Sequence, residues 1–408
     1  MTKCVFNLFA EFTSLRTLKI FSISPKNLCA LCVQNSHKQL FYFKFAKAKS
    51  NTMTQEFLGN SQFNISNQAV SASCPSNIAL IKYWGKYENQ IPANPSISYT
   101  LNHCRTNTTM EFIAGEEFSV QTFLAGNEEQ KFAEKIEKYF KNIEQYLPWI
   151  LKGKYIIKTE NTFPHSSGIA SSASGFGAIA KCLMNLDDIF TTKEEGFESL
   201  SLTKTKKESF LARLGSGSAS RSLYEGLVVW GKTKEVEGSS DLFAVPYNNN
   251  EIHPIFKNFN DWVLLIHEGQ KSVSSTVGHG LMNTNPYAER RFQEAHENFT
   301  KLKTILATGD MEGFIKLVEH EALTLHAMMM MSEPAFILMQ TGTLQVINKI
   351  WEFRKITGLA LFFTLDAGAN VHLLFPNDID NKRITDFITT ELIPLTQKGG
   401  VVKDVMRW

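Results

Sequence analysis

Four short stretches of this 408-residue chain combine side chains that could do chemistry. The first is an apolar run, Asn77-Ile78-Ala79-Leu80-Ile81, that ends in Lys82-Tyr83-Trp84-Gly85-Lys86. The second is Phe163-Pro164-His165-Ser166-Ser167-Gly168-Ile169-Ala170-Ser171-Ser172-Ala173-Ser174-Gly175-Phe176-Gly177. A flexible linker would not continue into Ala178-Ile179-Ala180-Lys181-Cys182-Leu183-Met184, so the pattern predicts a tight loop opening a helix of small residues. Backbone amides at such a helix N-terminus form an anion site suited to phosphates. The same residues also fit a small-residue helix packed close on a sheet. The spacing G-x-x-x-x-G-K-[ST] is absent, so this is not a Walker A loop. In the third stretch, Arg213-Leu214-Gly215-Ser216-Gly217-Ser218-Ala219-Ser220-Arg221-Ser222, hydroxyls and guanidinium groups on a glycine-rich backbone suit a phosphate or carboxylate. A Ser-rich capped turn is the structural alternative. The fourth is Asp366-Ala367-Gly368-Ala369-Asn370, between the strand-like runs 359–365 and 371–375, which predicts a hairpin with Asp366 at its tip. An acid there serves as a turn former or as a base.

The elements that must position these groups follow from periodicity. Residues 97–101 and 108–113 alternate β-branched or aromatic with polar residues, as strands of an antiparallel sheet do; 69–74 is short and strand-like, and 155–159 and 226–230 add two more strands. Residues 128–146 place Phe132, Ile136, Tyr139, Phe140 and Ile143 on one helix face. A buried strand at 261–266 starts a second domain, and Lys271-Ser272-Val273-Ser274-Ser275-Thr276 follows as a loop. Residues 286–306 and 310–329 read as helices separated by Gly309. The run Met328-Met329-Met330-Met331 fits core filling. Glu319, His320 and His326 do not make an H-E-x-x-H zinc motif and read as ordinary helix residues.

Composition removes whole classes of function. At 43% hydrophobic and 20% charged the chain is neither disordered nor a coiled coil, and no apolar run reaches the ~18 residues of a membrane span. Residues 1–52 hold eight basic side chains against one acidic, whereas 53–408 hold 34 against 39. The body therefore lacks the basic excess of a nucleic-acid binder, which leaves a small molecule as the partner. Six cysteines in a chain this long make no disulfide framework, and a reducing, cytoplasmic location fits best. The pair Cys29 and Cys32 has C-x-x-C spacing without a second pair or nearby histidines. The basic, Phe-rich segment 1–52 fits a targeting presequence or a start placed upstream of Met53.

Taken together, the segments resemble the GHMP family of small-molecule kinases over most of 70–408. The Lys82-Tyr83-Trp84-Gly85-Lys86 string resembles its ATP-dependent decarboxylating branch. The resemblance implies an α+β architecture. After a leader at 1–67 come an ATP-binding N-terminal domain at 68–255, of ribosomal-protein-S5-domain-2-like fold with a left-handed crossover, and a ferredoxin-like C-terminal domain at 256–408. The resemblance places the active site in the cleft between them. It implies ATP and Mg²⁺, conversion of (R)-5-diphosphomevalonate to isopentenyl diphosphate, CO₂, ADP and phosphate, and a homodimer. It assigns catalysis to Asp366, Lys82 and Arg221 and the grip on the diphosphate to Tyr83, Lys86, Ser216, Ser218 and Ser275. ATP falls to Ser166, Ser167, Gly168, Ala170, Ser171 and Ser172, with Ser172 facing the metal. The chain departs from the family at Ile169 and Ala369, where leucine and proline are common, and at Thr276, where some relatives carry a diphosphate-binding arginine. The nearest alternatives are a decarboxylase of the 5-monophosphate and a kinase that only phosphorylates the 3-hydroxyl. A serine-hydrolase reading fails for want of a G-x-S-x-G elbow.

Overall fold

The computed structural model describes residues 54–164, 169–191, 200–267, 269, 273–377 and 381–406. The Cys29 and Cys32 pair, the loop residues His165, Ser166, Ser167 and Gly168, and Lys271 and Ser272 lie outside the described residues. Within 54–58 the chain makes one short 3₁₀ turn, Gln55–Phe57.

The strand-like piece before Pro75 and the apolar run after it are one strand, β1 (Gln68–Ile81), and the runs at 97–101 and 108–113 are one 19-residue strand, β2 (Ser96–Ala114). The two pair antiparallel, with a register shift between Pro75 and Asn77. Proline lacks the N–H that the ladder needs, so the irregularity falls there. β3 (Ser119–Leu124), β4 (Asn127–Glu128), β5 (Gly153–Asn161), β6 (Leu227–Trp230) and β7 (Ala244–Pro246) complete the first sheet, in the order β4-β3-β5-β2-β6-β7 with β1 also on β2. β5 alternates cleanly, Tyr155 and Ile157 inward and Lys154 and Lys158 outward, because one of its faces is covered.

The cover is helical. Helix α1 (Gln130–Ile143) buries Ala133, Ile136, Tyr139, Phe140 and Ile143; Phe132, expected on that face, is only half-buried. The small-residue helix α2 (Ser171–Phe190) packs on β1 and β2. Its Gly177 is required there, since a Cβ would come within 2.4 Å of Cys74 Sγ. Helix α3 (Leu200–Gly215) and a buried 3₁₀ segment, Gly217–Leu223, pack in turn on α2. The stretch around Arg221 is thus a packed element rather than a flexible donor loop.

The second sheet contains β8 (Phe259–Leu264), β9 (Phe362–Thr364), β10 (Val371–Pro376) and β11 (Val401–Val405), in the order β11-β8-β10-β9 with every pair antiparallel. Numbered within this half the order is 4-1-3-2, with helices between the first and second strands and between the third and fourth, which is the ferredoxin-like arrangement. Between β8 and β9 run α4 (Ser275–Leu281), α5 (Ala288–Thr308), α6 (Met311–Met330) and α7 (Thr341–Thr357); α8 (Asn381–Phe387) precedes β11. Ser275 and Thr276, expected on a loop, open α4 behind the cap Ser274, whose hydroxyl accepts the N–H of Val277. Of the four consecutive methionines, Met328 and Met329 are buried, whereas Met330 and Met331 are exposed.

Alternate residues of the second sheet enter two different cores. Val263, Phe362 and Leu374 join one core with Phe299, Phe314 and Val318, while Leu264, Phe363 and Leu373 pack with Val346, Ile350 and Ile388. The first of these cores also contains Ile97, Tyr99 and Leu101 of β2, so both sheets share it. The buried Asp404 of β11 reinforces the junction by accepting the backbone N–H groups of Asn102, His103 and Cys104 at 2.6–3.0 Å. A carboxylate accepting several amides is a charge-assisted contact of above-average strength. Residues 59–408 accordingly form one compact unit.

Candidate active site

The end of β1 delivers Lys82 into the interior, where it is 1% exposed and its Nζ lies 3.2 Å from Asp366 Oδ1. The backbone on either side is clamped: the Lys82 N–H donates to Glu321 Oε2 at 3.0 Å, and its carbonyl accepts Asn94 Nδ2 at 2.9 Å. Glu321, buried on α6, is held by Arg291 and, at 2.7 Å, by Asn298 Nδ2, both from α5. Burial pushes Lys82 below the ordinary lysine value, and the charge and hydrogen bond of Asp366 pull it part of the way back.

Asp366 sits in the turn between β9 and β10, as the hairpin pattern predicts. Neighbouring elements pin that turn. Its carbonyl accepts His326 Nε2 at 3.1 Å, Thr343 Oγ1 donates to the Ala369 carbonyl at 2.6 Å, and the His267 N–H donates to Asn370 Oδ1 at 2.9 Å. His326, read from sequence as an ordinary helix residue, is therefore a support of the acidic turn. Both His326 and Glu321 are polar residues on the apolar stripe of α6 with Leu317, Val318, Ala322 and Leu325, and that mismatch is the signal that could have singled them out.

Arg221 is also buried, but neutral oxygens hold it. Nε donates to Ser98 Oγ at 2.9 Å and Asn77 Oδ1 at 3.3 Å, and Nη1 donates to Ser96 Oγ at 2.5 Å. Its pKa is lowered by burial to about 10, with Asp366 acting in the opposite sense. A guanidinium kept cationic without a carboxylate of its own is suited to a substrate anion. Around it, Gly217 is enforced by crowding, since a Cβ there would lie 2.6 Å from the Trp230 ring and 2.9 Å from the Tyr83 hydroxyl. Tyr83, Trp84 and His279 form an aromatic wall.

Lys82, Asp366, Arg221 and the aromatic wall open on one cavity of about 710 Å³. Lys82, Tyr83, Lys86, Ala170, Ser171, Ser172, Ser216, Ser218, Arg221, Ser275 and Asp366 line it together. Ser166, Ser167 and Gly168 lie outside the described residues. The N-terminus of α2 brings Ser171 and Ser172 to the wall, and Ser216 Oγ lies 3.4 Å from Ser172 Oγ. Sequence reasoning missed His279 on α4 and Lys135 and Lys138 on α1, which line the same cavity. Among the described residues no cluster of three His, Cys, Asp or Glu could hold a metal ion.

The arrangement offers one carboxylate, several cations and a row of hydroxyls at a helix start, which together fit a phosphorylated acid and a nucleotide. Residues 74–243 match the diphosphomevalonate decarboxylase-like N-terminal domain, and 262–404 match the mevalonate 5-diphosphate decarboxylase C-terminal domain. The diphosphomevalonate decarboxylase of Schizosaccharomyces pombe is 31% identical over 325 residues, 75% of this chain and 78% of that one. The mevalonate diphosphate decarboxylase of Staphylococcus aureus superposes with a TM-score of 0.70 at 29% identity, covering 83% of this chain and 96% of that one. The protein MDDEF, solved in complex with MVAPP, AMPPCP and magnesium, has a TM-score of 0.70 at 25% identity, over 84% and 98% of the two chains. With matches on both sheets that build the cavity, the chain belongs to the diphosphomevalonate decarboxylase family.

Proposed function

We propose that this chain converts (R)-5-diphosphomevalonate and ATP to isopentenyl diphosphate, CO₂, ADP and phosphate. The observation that carries the reading is the buried Lys82–Asp366 pair at 3.2 Å, in one cavity with Arg221. A 3-hydroxy acid loses CO₂ poorly, because the electrons of the breaking bond have no acceptor until the tertiary hydroxyl becomes a leaving group. Bound ATP with Mg²⁺ supplies the phosphoryl group that turns this oxygen into a leaving group. Asp366 Oδ accepts the hydroxyl proton. Lys82 holds that carboxylate ionised and offsets negative charge developing beside it. Arg221 binds the substrate carboxylate and fixes its orientation at C3. Tyr83, Lys86, Ser216, Ser218 and Ser275 take the diphosphate.

The donor set suits a magnesium nucleotide. The hydroxyls of Ser171 and Ser172 stand at the start of a 20-residue helix, where amide N–H groups and the helix dipole favour phosphate. A magnesium ion is commonly held through the substrate's own phosphates with few protein ligands. In this reading Ser172 is the hydroxyl that faces the metal. Ser166, Ser167, Gly168 and Ala170 complete the nucleotide loop in this reading.

The halves at 68–255 and 256–408 act as the ATP-binding domain and its partner, and a homodimer in the cytoplasm is the setting that the family resemblance supports. Among the described residues no helix is long and apolar enough to cross a membrane. Cys74, Cys104 and Cys182 are buried free thiols whose pKa values burial raises, consistent with a reducing compartment.

The test offers mevalonate, its 5-phosphate and its 5-diphosphate separately with ATP and Mg²⁺, recording ADP and CO₂ in parallel. Equal ADP and CO₂ from the diphosphate alone is the expected result. ADP without CO₂, or preference for the monophosphate, would move the chain to another branch of the fold family.

A further inference from the structure

One end of the cavity gathers aromatic hydrogen-bond donors around Tyr83, which the proposed reaction assigns to the diphosphate. The Tyr83 hydroxyl and Trp84 Nε1 are buried without hydrogen-bond partners among the described residues. The His279 ring lies against both, its centroid 4.3 Å from that of Tyr83 and 4.5 Å from that of Trp84. His279 Nδ1 accepts the Gly85 N–H at 3.0 Å. A backbone amide only donates, so Nδ1 carries no proton and the neutral ring holds its hydrogen on Nε2. Burial, helped by the charge of Lys86, lowers the His279 pKa to about 3, so the ring stays neutral under ordinary assay conditions.

Ser275, Thr276 and His279 have i, i+1, i+4 spacing, which places them on adjoining faces of α4, and all three line the cavity. Thr276 offers a hydroxyl and no charge at this end of the cavity. A histidine one turn further along the same helix is placed to supply a further donor.

We propose that His279 is a specificity-determining residue, which donates its Nε2–H to an oxygen of the substrate's terminal phosphate and so favours the 5-diphosphate over the 5-monophosphate. This inference rests on the reading of the chain as a decarboxylase of the diphosphate. The role is one of binding and selection, and no bond to His279 forms or breaks.

The test first measures kcat/KM of the unaltered full-length protein for mevalonate 5-diphosphate and 5-phosphate with ATP and Mg²⁺. Where the monophosphate turns over too slowly, its inhibition constant against the diphosphate replaces its rate. Two variants separate the ring's two nitrogens. His279→Asn keeps an acceptor for the Gly85 N–H and removes the outer donor, whereas His279→Gln returns an amide donor near the Nε2 position. His279→Asn should lower kcat/KM for the diphosphate about tenfold or more, mainly through KM, as expected when a hydrogen bond to a charged group is lost. The monophosphate and the KM for ATP should change less than about threefold, and His279→Gln should recover most of the loss. His279→Met fills the space between the rings without a donor, and it reads the same ratio should His279→Asn not fold. An unchanged diphosphate preference in the Asn or Met variant overturns the proposal, as does an equal loss on both substrates. A failure of the underlying reading looks different, because the unaltered protein would then already prefer the monophosphate.

Discussion

The two sheets feed one cavity with opposite charges. The first sheet and its helices contribute Lys82, Lys86, Arg221, Lys135 and Lys138, while the second contributes Asp366, the one carboxylate among the described lining residues. The buried groups are also held differently. Arg221 rests on the neutral oxygens of Ser96, Ser98 and Asn77, so its charge remains available for a ligand. Lys82 is spent on a partner, Asp366, and its backbone is fixed from the second half by Glu321. One region thus gathers cations around the cavity, and the other presents a single carboxylate to a buried cation. A second carboxylate in the cavity would repel the phosphates that the first region attracts. The chemistry therefore depends on the two regions being held together, which the shared core and Asp404 achieve.

Breaking the contrast on the side of the base should have the largest effect. Asp366→Ala should lower kcat by about 10³-fold or more, the range for a lost general base, with ATP affinity nearly unchanged. A variant retaining more than about a tenth of the rate would remove Asp366 from the chemistry. Arg221→Gln tests the other side. It removes the cation but leaves the hydroxyls of Ser96 and Ser98, and kcat/KM for the diphosphate should fall about 10²-fold. Arg221→Lys should recover little of this, because an ammonium cannot reproduce the fork; full recovery would argue against a bidentate carboxylate contact.

The Lys82–Asp366 pair can be sharpened by pH. Lys82 is displaced downward from the ordinary 10.5, so its charge is lost at lower pH than that of a solvated lysine. The basic limb of kcat/KM should therefore begin below pH 10.5, and Lys82→Arg, if active, should move it upward. The stability term has a definite sign. Between the lowered folded value and 10.5 the native state binds fewer protons than the unfolded chain, so the contribution of Lys82 to stability rises with pH across that window. A basic limb that Lys82→Arg leaves in place would assign it to another group.

The smallest effect on the chemistry should come from the junction. Asp404→Ala strands three backbone N–H groups at the contact of β11 with β2 and should cost about 2–3 kcal/mol of stability, read in denaturant unfolding. The rate of the folded fraction should stay within about threefold. A folded variant with a collapsed rate would mean that the junction tunes the site as well as holding it.

Much of the site was legible because its residues carry local signals. The Gly-containing turn after 359–365 placed Asp366, and the small residues before Ala178 placed the helix start with Ser171 and Ser172. Where local signals compete or are missing, the fold overrode the reading. Pro75, Ser76 and Asn77 break the alternation inside β1, although the buried ladder to β2 carries the strand through them. Helix α3 has a run of polar residues from Thr203 to Ser209 and little amphipathic contrast, so pattern alone did not find it. Helix α4 contains Gly278 and Gly280, which argue against a helix, yet Ser274 caps it. His279 and His326 were passed over for another reason. Each acts through a partner distant in sequence, Gly85 in one case and Asp366 in the other.

The division of labour between the two regions is tested most directly in Asp366→Ala, by calorimetric titration with mevalonate 5-diphosphate and Mg-ATP followed by a rapid-quench measurement of ADP and CO₂. Dissociation constants should stay within about threefold of those of the unaltered protein, while both products are lost in the first turnover. Binding lost along with the rate, or a normal first turnover of ADP and CO₂, would contradict it.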